Sequence, residues 1–379
     1  MDSTPPPTGR RYEEIAREVR GELLAGRYGD EGRMPSEAQL VRRYKVSRPT
    51  VARALRLLQD EGFVERRAGS GTYAKVRDET SRLRAKRLLA LLMPDLGNTE
   101  IFQLIGGEIA SLARVNDYTL AWDAISKIKP KAESGAKYAA ELCQQFINQG
   151  VSGVFFAPFE LMPEKEATNR ELAIKLREAG ISVVLLDRDV TVFPTRSDFD
   201  LVGVDNFLGG YLVAEHLLKL GCQRLCYVAR PHSAPTVEMR ISGMHEALRH
   251  RRVSVEPLAV QIGDLSDKRF VRNLISPLPD AFLCANDHTA ALLLRRLHEG
   301  NIRVPEQVRV VGFDDVKFAT LVSPPLTTVQ QPWHELASNA FHAMLSRLDQ
   351  PTLPPRHFMS TPRLIVRDSC GAYHPSTSQ

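Results

Sequence analysis

From Leu88 to Asp315 one texture repeats: an apolar run of strand length, then a segment with apolar residues at helical spacing, then another apolar run. "RLLALLMPD" (87–95) reads as a strand and 101–115 as a helix. "YTLAWDA" and 137–149 form the next such pair, then "VSGVFFAP" and 169–179, then "ISVVLLDRDV". After "LVGVDN" a helix runs to Lys219. The alternation continues through "RLCYVA", helix 238–250, strand 257–262, helix 267–275, "AFLCAN", helix 288–299 and "VRVVGFDD". Strands that are apolar on both faces and separated by helices require a parallel sheet covered on both sides. A stretch of roughly 280 residues is long for one such sheet, so two similar lobes are expected. No GxGxxG follows the first strand and no Walker motif occurs, which argues against a dinucleotide or nucleoside triphosphate site.

The first quarter differs. Residues 1–87 carry 20 Lys and Arg against 13 Asp and Glu, a net of +7, whereas the remainder nets −2. A basic head on a near-neutral body points to a polyanion partner for the head alone. Within it, Ile15, Val19 and Leu23 recur at helical spacing. Ser36 is a good N-cap for a helix reaching about Tyr44, with Glu37 in its first turn. "KVS" is a tight turn. Ser47 then caps a second helix, with Pro49 in its first turn and Val51, Leu55 and Leu58 on its buried face. Two short helices joined this way are a helix-turn-helix. "FVERRAGSGTYA" adds an extended pair, Phe63–Arg67 and Thr72–Val76, around a Gly-rich tip: a small β-wing. Residues 77–87 read as a charged linker.

In a helix-turn-helix the second helix enters the major groove and its N-terminal residues reach base edges. Those residues are Ser47, Arg48, Pro49 and Thr50. Arg48 suits a bidentate contact to guanine, worth about 1–3 kcal/mol of discrimination. Arg53 and Arg56 suit the phosphate backbone. In the wing, Arg66 and Arg67 supply charge, and Gly69 and Gly71, flanking Ser70, permit close backbone approach. Ser36 completes the candidate DNA-facing set.

The stretch "MPSEAQLVRRYKVSRPTVARALRLLQDEGFVERRAGSGTYA" resembles the winged helix-turn-helix of the GntR family of bacterial regulators over about residues 10–76. The resemblance implies DNA-contacting roles for Arg48, Thr50 and Gly69. Ala38 and Ala52 stand where many members have arginine, which implies a different operator.

In open α/β sheets ligands bind beyond the carboxyl ends of the strands, and two facing lobes gather those ends around one cleft. The residues just after the strands are carboxylates, amides and arginines with nearby aromatics, among them 98–102, Trp122, Asp123, 156–160, Asp187, Arg188, Asp264, Asn286, Asp287, Asp314, Asp315, Gln330 and Gln331; Arg240 joins them. That mixture suits a polyol. "LVGVDNFLGGYLVAEHLLKLGCQRL", "FLCANDHTAALLLRRLHEGNIRVPEQVRVVGFDD" and "SPPLTTVQQP" resemble the LacI/GalR effector domain, related to periplasmic ribose-binding proteins, over about residues 87–368. A GntR head on such a body is the arabinose-repressor type of architecture. The resemblance implies sugar contacts at Asp187, Arg188, Arg240, Asn286, Asp314 and Gln331, with Phe102 near the aromatic contact. Leu265 stands where relatives often carry an aromatic. In competing readings Asp287 caps the helix that starts at His288, Asp315 caps or hinges, Asp205 and Asn206 cap the helix after "LVGV", and Trp122 belongs to cleft or core.

The fold expected is therefore an α+β winged helix-turn-helix head (10–76), a linker (77–87), an α/β two-lobed, doubly wound, periplasmic-binding-protein-like body (88–368) and a disordered tail (369–379). The function expected is a cytoplasmic transcriptional repressor. It binds an inverted-repeat operator as a homodimer and is released by a mono- or disaccharide. A purine effector and ligand-promoted DNA binding are alternatives. An enzyme using Asp187 and Asp314 as an acid/base pair, and a plain sugar-binding module, are rivals from other classes. Neither a nucleophile–base pattern nor a metal cluster stands in the sequence, so no catalytic residue, metal or cofactor is expected. The five cysteines, Cys143, Cys222, Cys226, Cys284 and Cys370, are scattered, as packing in a reducing compartment would have them. No apolar run is long enough to span a bilayer, and "MDSTPPPTGRR" lacks the apolar stretch of a signal peptide.

Overall fold

The computed structural model describes residues 8–24, 28, 34–60, 63–67, 70–74, 87–93, 100–122, 132–251 and 258–373. The chain divides into two compact units, residues 1–87 and 88–379.

The first unit contains α1 (Thr8–Leu24), α2 (Glu37–Tyr44), α3 (Arg48–Asp60) and the antiparallel pair β1 (Val64–Arg67) and β2 (Gly71–Ala74). Ile15, Val19, Leu40, Val51, Leu55, Leu58 and Val64 make one buried cluster. Ser36 starts α2 with a capping box: its Oγ accepts from Gln39 N, and the Gln39 side chain accepts from Ser36 N. The box satisfies two otherwise unpaired amides at the helix start. Lys45, at φ 51°, makes the left-handed turn between α2 and α3. Glu22 of α1 is buried and bonded to both Arg43 of α2 and the Tyr28 hydroxyl, which fixes α1 on α2. Met34 N donates to Thr72 O at 2.9 Å, tying the approach to α2 to the wing. The linker, apart from Arg87, lies outside the described residues.

The second unit has two six-stranded sheets. Its elements are β3 (Leu88–Leu92), α4 (Glu100–Val115), β4 (Thr119–Trp122), α5 (Ala132–Gln149), β5 (Gly153–Phe156), α6 (Lys165–Glu178), β6 (Ser182–Leu186), β7 (Asp200–Val204), α7 (Asn206–Lys219), β8 (Leu225–Ala229), α8 (Pro235–Arg251), β9 (Ala259–Ile262), α9 (Lys268–Leu274), β10 (Ala281–Cys284), α10 (Asp287–Glu299), β11 (Arg309–Asp314), α11 (Phe318–Leu321), β12 (Thr327–Gln330), α12 (Trp333–Asp349), β13 (His357–Ser360) and β14 (Arg363–Ile365). The first sheet, β13-β7-β6-β5-β3-β4, is entirely parallel. The second, β14-β12-β11-β10-β8-β9, is parallel except for its β12–β14 edge.

Both faces of each sheet are covered, which explains the unbroken apolar runs. In β3, Leu89 and Leu91 enter one core while Ala90 and Leu92 enter the core on the opposite face. In β8, Leu225 and Tyr227 face one way and Cys226 and Val228 the other. The chain passes between lobes three times, at 204–206, 330–333 and 360–363. After the second passage α12 packs on α4, and Asp200, fully buried in β7, holds Arg347 of α12 at 2.9 Å.

The disordered tail expected from residue 369 needs correcting. Ser369 and Cys370 are fully buried: Ser369 Oγ donates to Val310 O at 2.6 Å and accepts from Thr327 N at 2.8 Å. One serine joining two strands has no periodic signature, so pattern reading misses it. Residues 374–379 lie outside the described residues. All five cysteines are free and buried.

Candidate nucleic-acid interface and ligand cleft

On the head, Ser47, Arg48 and Pro49 open α3 as an exposed group, with Thr50 half-buried behind them. Ser47 Oγ and Thr50 Oγ1 lie 2.7 Å apart, so the serine hydroxyl pairs with threonine while Ser47 O accepts the Thr50 amide. The Arg48 side chain is 80% exposed. Its Nε lies 3.5 Å from Glu37 Oε2, and Arg66 Nη2 of the wing lies 2.8 Å from Glu37 Oε1. Glu37 thus pairs with one arginine from α3 and one from the wing. The sequence reading assigned Glu37 only to the helix dipole. Arg53 points back to α1, its guanidinium 4.4 Å from the centre of the Tyr12 ring. In the wing, Ser70 Oγ and Tyr73 OH are 2.7 Å apart, Arg67 sits opposite Gly71, and Gly71 has φ 123°, a conformation that favours glycine. Gly69 lies outside the described residues.

In the body, all seven residues expected around the ligand (Phe102, Asp187, Arg188, Arg240, Asn286, Asp314 and Gln331) line one cleft enclosing about 580 Å³ of space open to solvent. Asp187 follows β6, Asn286 follows β10, Asp314 ends β11 and Gln331 follows β12, so the carboxyl ends of strands from both lobes converge. Asp187 at φ 69° and Asp314 at φ 119° adopt strained backbone that turns the chain at the cleft floor.

Arg240 is fixed from three sides. Its Nε donates to Asn206 Oδ1 at 2.8 Å and its Nη1 to Ala285 O at 2.5 Å, and its guanidinium lies 3.5 Å over the Phe313 ring. Arg188 is held more loosely, although only 4% exposed. Its Nη1 lies 3.1 Å from Glu160 Oε2, and its Nε is 3.6 Å from Asp187 Oδ2, too far for a hydrogen bond. The guanidinium lies 5.7 Å from the Phe102 ring centre, and its Nε and Nη2 are buried with no hydrogen-bond partner. Unsatisfied buried donors on a cation cost several kcal/mol by general estimates (roughly 1–3 for each group), which a ligand oxygen would offset. Asp314 Oδ1 accepts from Gln331 Nε2 at 2.7 Å. Burial pushes the Asp314 carboxyl up to about 7 against the pull of Arg240 and Gln331, and burial likewise raises Asp187.

Several expectations change. Asn286, not Asp287, caps α10: its Oδ1 accepts from Thr289 N and Thr289 Oγ1, both at 2.8 Å. Asp287 lies inside the helix start, fully buried, accepting from Val316 N and Thr328 Oγ1. Gly312 leaves room for it, since a Cβ there would sit 2.3 Å from Asp287 Oδ1. Asp315 neither caps nor hinges freely; it pairs with Arg367 Nη2 at 2.6 Å. Asp205 does cap α7, and Asn206 holds Arg240. Trp122 and Asp264 do not line the cleft, and Leu265 is buried in the core beneath it. Glu160, Arg230 and Thr236 line it as well. Glu160 stood only among the post-strand residues; Arg230 directly follows β8, so the strand-end signal points to it as well, whereas Thr236 sits in the first turn of α8 and has no such signal.

A family model described as bacterial regulatory proteins, gntR family, matches residues 11–74, and one described as periplasmic binding protein-like domain matches residues 214–370. Among curated relatives, an arabinose metabolism transcriptional repressor of Geobacillus stearothermophilus is 24% identical over 95% of this chain and 97% of its own length. An HTH-type transcriptional repressor, PurR of Vibrio atlanticus, is 31% identical over 51% of this chain and 58% of its own. Among solved structures, a CelR–cellobiose regulator complex superposes with a TM-score of 0.63 at 21% identity, covering 96% of this chain and all of that one. A LacI family regulator from Enterococcus faecium with bound ribose gives 0.61 at 24%, covering 74% and 98%. Among the described residues no helix is long and apolar enough to cross a membrane, and no cluster of ligating side chains could hold a metal. In one polypeptide, then, this chain carries a gntR-family regulatory domain followed by a two-lobed periplasmic binding protein-like domain.

Proposed function

We propose that the chain is a cytoplasmic transcriptional repressor whose head binds an operator and whose body senses a sugar. The observation that carries the reading is the convergence of carboxylates, amides and two buried arginines, from the strand ends of both lobes, on one cleft. Vicinal hydroxyls donate to Asp187 and Asp314 and accept from Arg188, Arg240 and Asn286, and Phe102 faces a C–H surface. A winged helix-turn-helix reads a half-site, so the operator is an inverted repeat and the active form a homodimer. Coupling between the two sites is reciprocal: a sugar that weakens operator binding is itself bound less well by the DNA-bound form. The relatives named above are repressors rather than enzymes. The PurR relative keeps a nucleobase as a second reading. Three carboxylates and one aromatic ring in the lining favour hydroxyls over a flat base.

The test is fluorescence anisotropy of the full chain on duplexes from the DNA upstream of its own gene, with and without a panel of pentoses, hexoses, disaccharides and purines. Nanomolar binding to one duplex, weakened at least about tenfold by one sugar, is the expected result. Release by a purine alone would overturn the sugar assignment, and failure to bind any duplex would overturn the regulator.

A further inference from the structure

The cleft contains one cation that the sugar reading leaves unused. Arg230, which follows β8, lines the same cleft as Arg188 and is only partly exposed. Among the described residues no carboxylate lies within ion-pair distance of it and no hydrogen bond reaches its side chain. The nearest candidates are engaged elsewhere. Asp264 accepts from Ser266 N at 2.8 Å and feels the Arg230 charge only from beyond ion-pair distance, and Glu160 is taken by Arg188 at 3.1 Å and by Ala234 N at 3.1 Å. Arg188 adds two buried donors without partners.

We propose that the effector is an anionic sugar, and that Arg230 together with the unpartnered edge of Arg188 binds its oxyanion, a phosphate ester or a carboxylate. This rests on the sugar-cleft reading and narrows it. A neutral sugar is served in full by Asp187, Arg188, Arg240, Asn286, Asp314 and Gln331, and gives Arg230 nothing to bind. Guanidinium groups present forked donors matched to phosphate and carboxylate oxygens, and charge-assisted bonds of that kind are about twice as strong as neutral ones. The charge balance agrees. Three arginines face Glu160, Asp187 and Asp314, but burial brings Asp314 to about 7, so near neutrality the lining carries a positive excess. Arg230 is then the specificity-determining residue, separating a sugar phosphate or sugar acid from its neutral parent.

Calorimetric titration of the full chain with matched pairs tests this: ribose against ribose 5-phosphate, glucose against glucose 6-phosphate, and glucose against gluconate. The expected result is that in at least one pair the anionic member binds tenfold or more tightly, with an advantage that shrinks as salt rises. Arg230→Gln should bring that ratio close to one, and Arg230→Lys, which keeps the charge, should restore part of it. The phosphate and carboxylate arms tell the two oxyanions apart. A neutral sugar binding as well as or better than its anionic partner, or an anionic preference untouched in Arg230→Gln, overturns the proposal and leaves the sugar cleft standing. Binding of neither member of any pair, together with release of operator DNA by a purine, removes the sugar reading and this proposal with it.

Discussion

Asp314 and Gln331 join across the cleft floor, the glutamine Nε2 donating to the carboxylate Oδ1 at 2.7 Å, one residue at the end of β11 and the other at a crossing between lobes. Burial holds the Asp314 carboxyl near 7, against an ordinary value of 3.8. A carboxyl raised on folding stabilises the protein below its unfolded value, and that contribution is lost as pH rises through the folded one. The free body should therefore lose stability between about pH 4 and pH 7. Asp314→Asn removes the titration, so its Tm advantage over the parent should widen by roughly 5 °C from pH 5 to pH 8. Gln331 can turn its amide to keep the hydrogen bond. A constant Tm difference across that range would show that Asp314 titrates normally. Effector binding should be lost in the same variant at every pH.

Gly210 of α7 meets α8 backbone to backbone. A Cβ there would lie 2.0 Å from Arg240 O, and one at Gly243 would lie 1.9 Å from Phe207 O. Gly210→Ala must push α8 outward on the very turn that carries Arg240. The body should lose about 3 kcal/mol in denaturant unfolding, at the upper end for overpacking because backbone cannot move aside like a side chain. Effector affinity should fall with it. Gly107→Ala in α4, where nothing lies within 4 Å, is the matched control and should be neutral or stabilising.

Glu37 restrains two arginines, Arg48 of α3 and Arg66 of the wing. Exposed ion pairs contribute about 0–1 kcal/mol, so Glu37→Gln should barely change stability. It removes one negative charge from a surface that would meet phosphates, and it frees Arg48 and Arg66. Affinity for non-operator duplex should rise several-fold and fall more steeply with salt, measured by anisotropy from 50 to 200 mM salt, while the operator preference narrows. Arg48→Ala should instead cost about 1–3 kcal/mol on the operator and little elsewhere.

Much of this architecture is legible because its causes are periodic. Leu89 to Leu92 are apolar on both faces of a buried parallel strand, and Ser36 reads as an N-cap, to which the structure adds the Gln39 half of a capping box. The strand-end rule then brought Asp187, Asn286, Asp314 and Gln331 to one cleft without any knowledge of distance. What stayed hidden depends on contacts far apart in sequence. Asn286 and Asp287 are both good caps in isolation; the buried amide of Val316 and hydroxyl of Thr328 decide which one goes inside. Helix α12 and the short strands β13 and β14 return the chain across the lobes, and no repeat announces them. Ser369 shows the same limit, since its hydrogen bonds to Val310 and Thr327 order a segment whose composition reads as tail.

The loops at one edge of the cleft are hydrogen-bonded to one another. Leu161 N donates to His232 O at 2.8 Å, Glu160 accepts from Ala234 N, and Lys165 Nζ donates to His232 O at 2.9 Å and Ser233 O at 2.5 Å. Residues 160–165 belong to the first lobe and 232–234 to the second, so these bonds must break before the cleft opens on that side. Burial lowers the Lys165 ammonium from its ordinary value, which offsets part of what its two hydrogen bonds contribute. Bonds from a charged donor contribute about 1.5–3 kcal/mol each before that offset. Lys165→Met should therefore speed effector release by roughly tenfold, with association little changed, as affinity differences within one site reside mostly in dissociation. Trp333, two residues after Gln331 and packed against the first lobe, stands at a crossing and should report closure by its fluorescence in stopped flow. An unchanged release rate would mean that the cleft opens at its other edge with these loops still joined. A tenfold faster rate with unchanged affinity would mean that Lys165 limits the passage rather than the closed state.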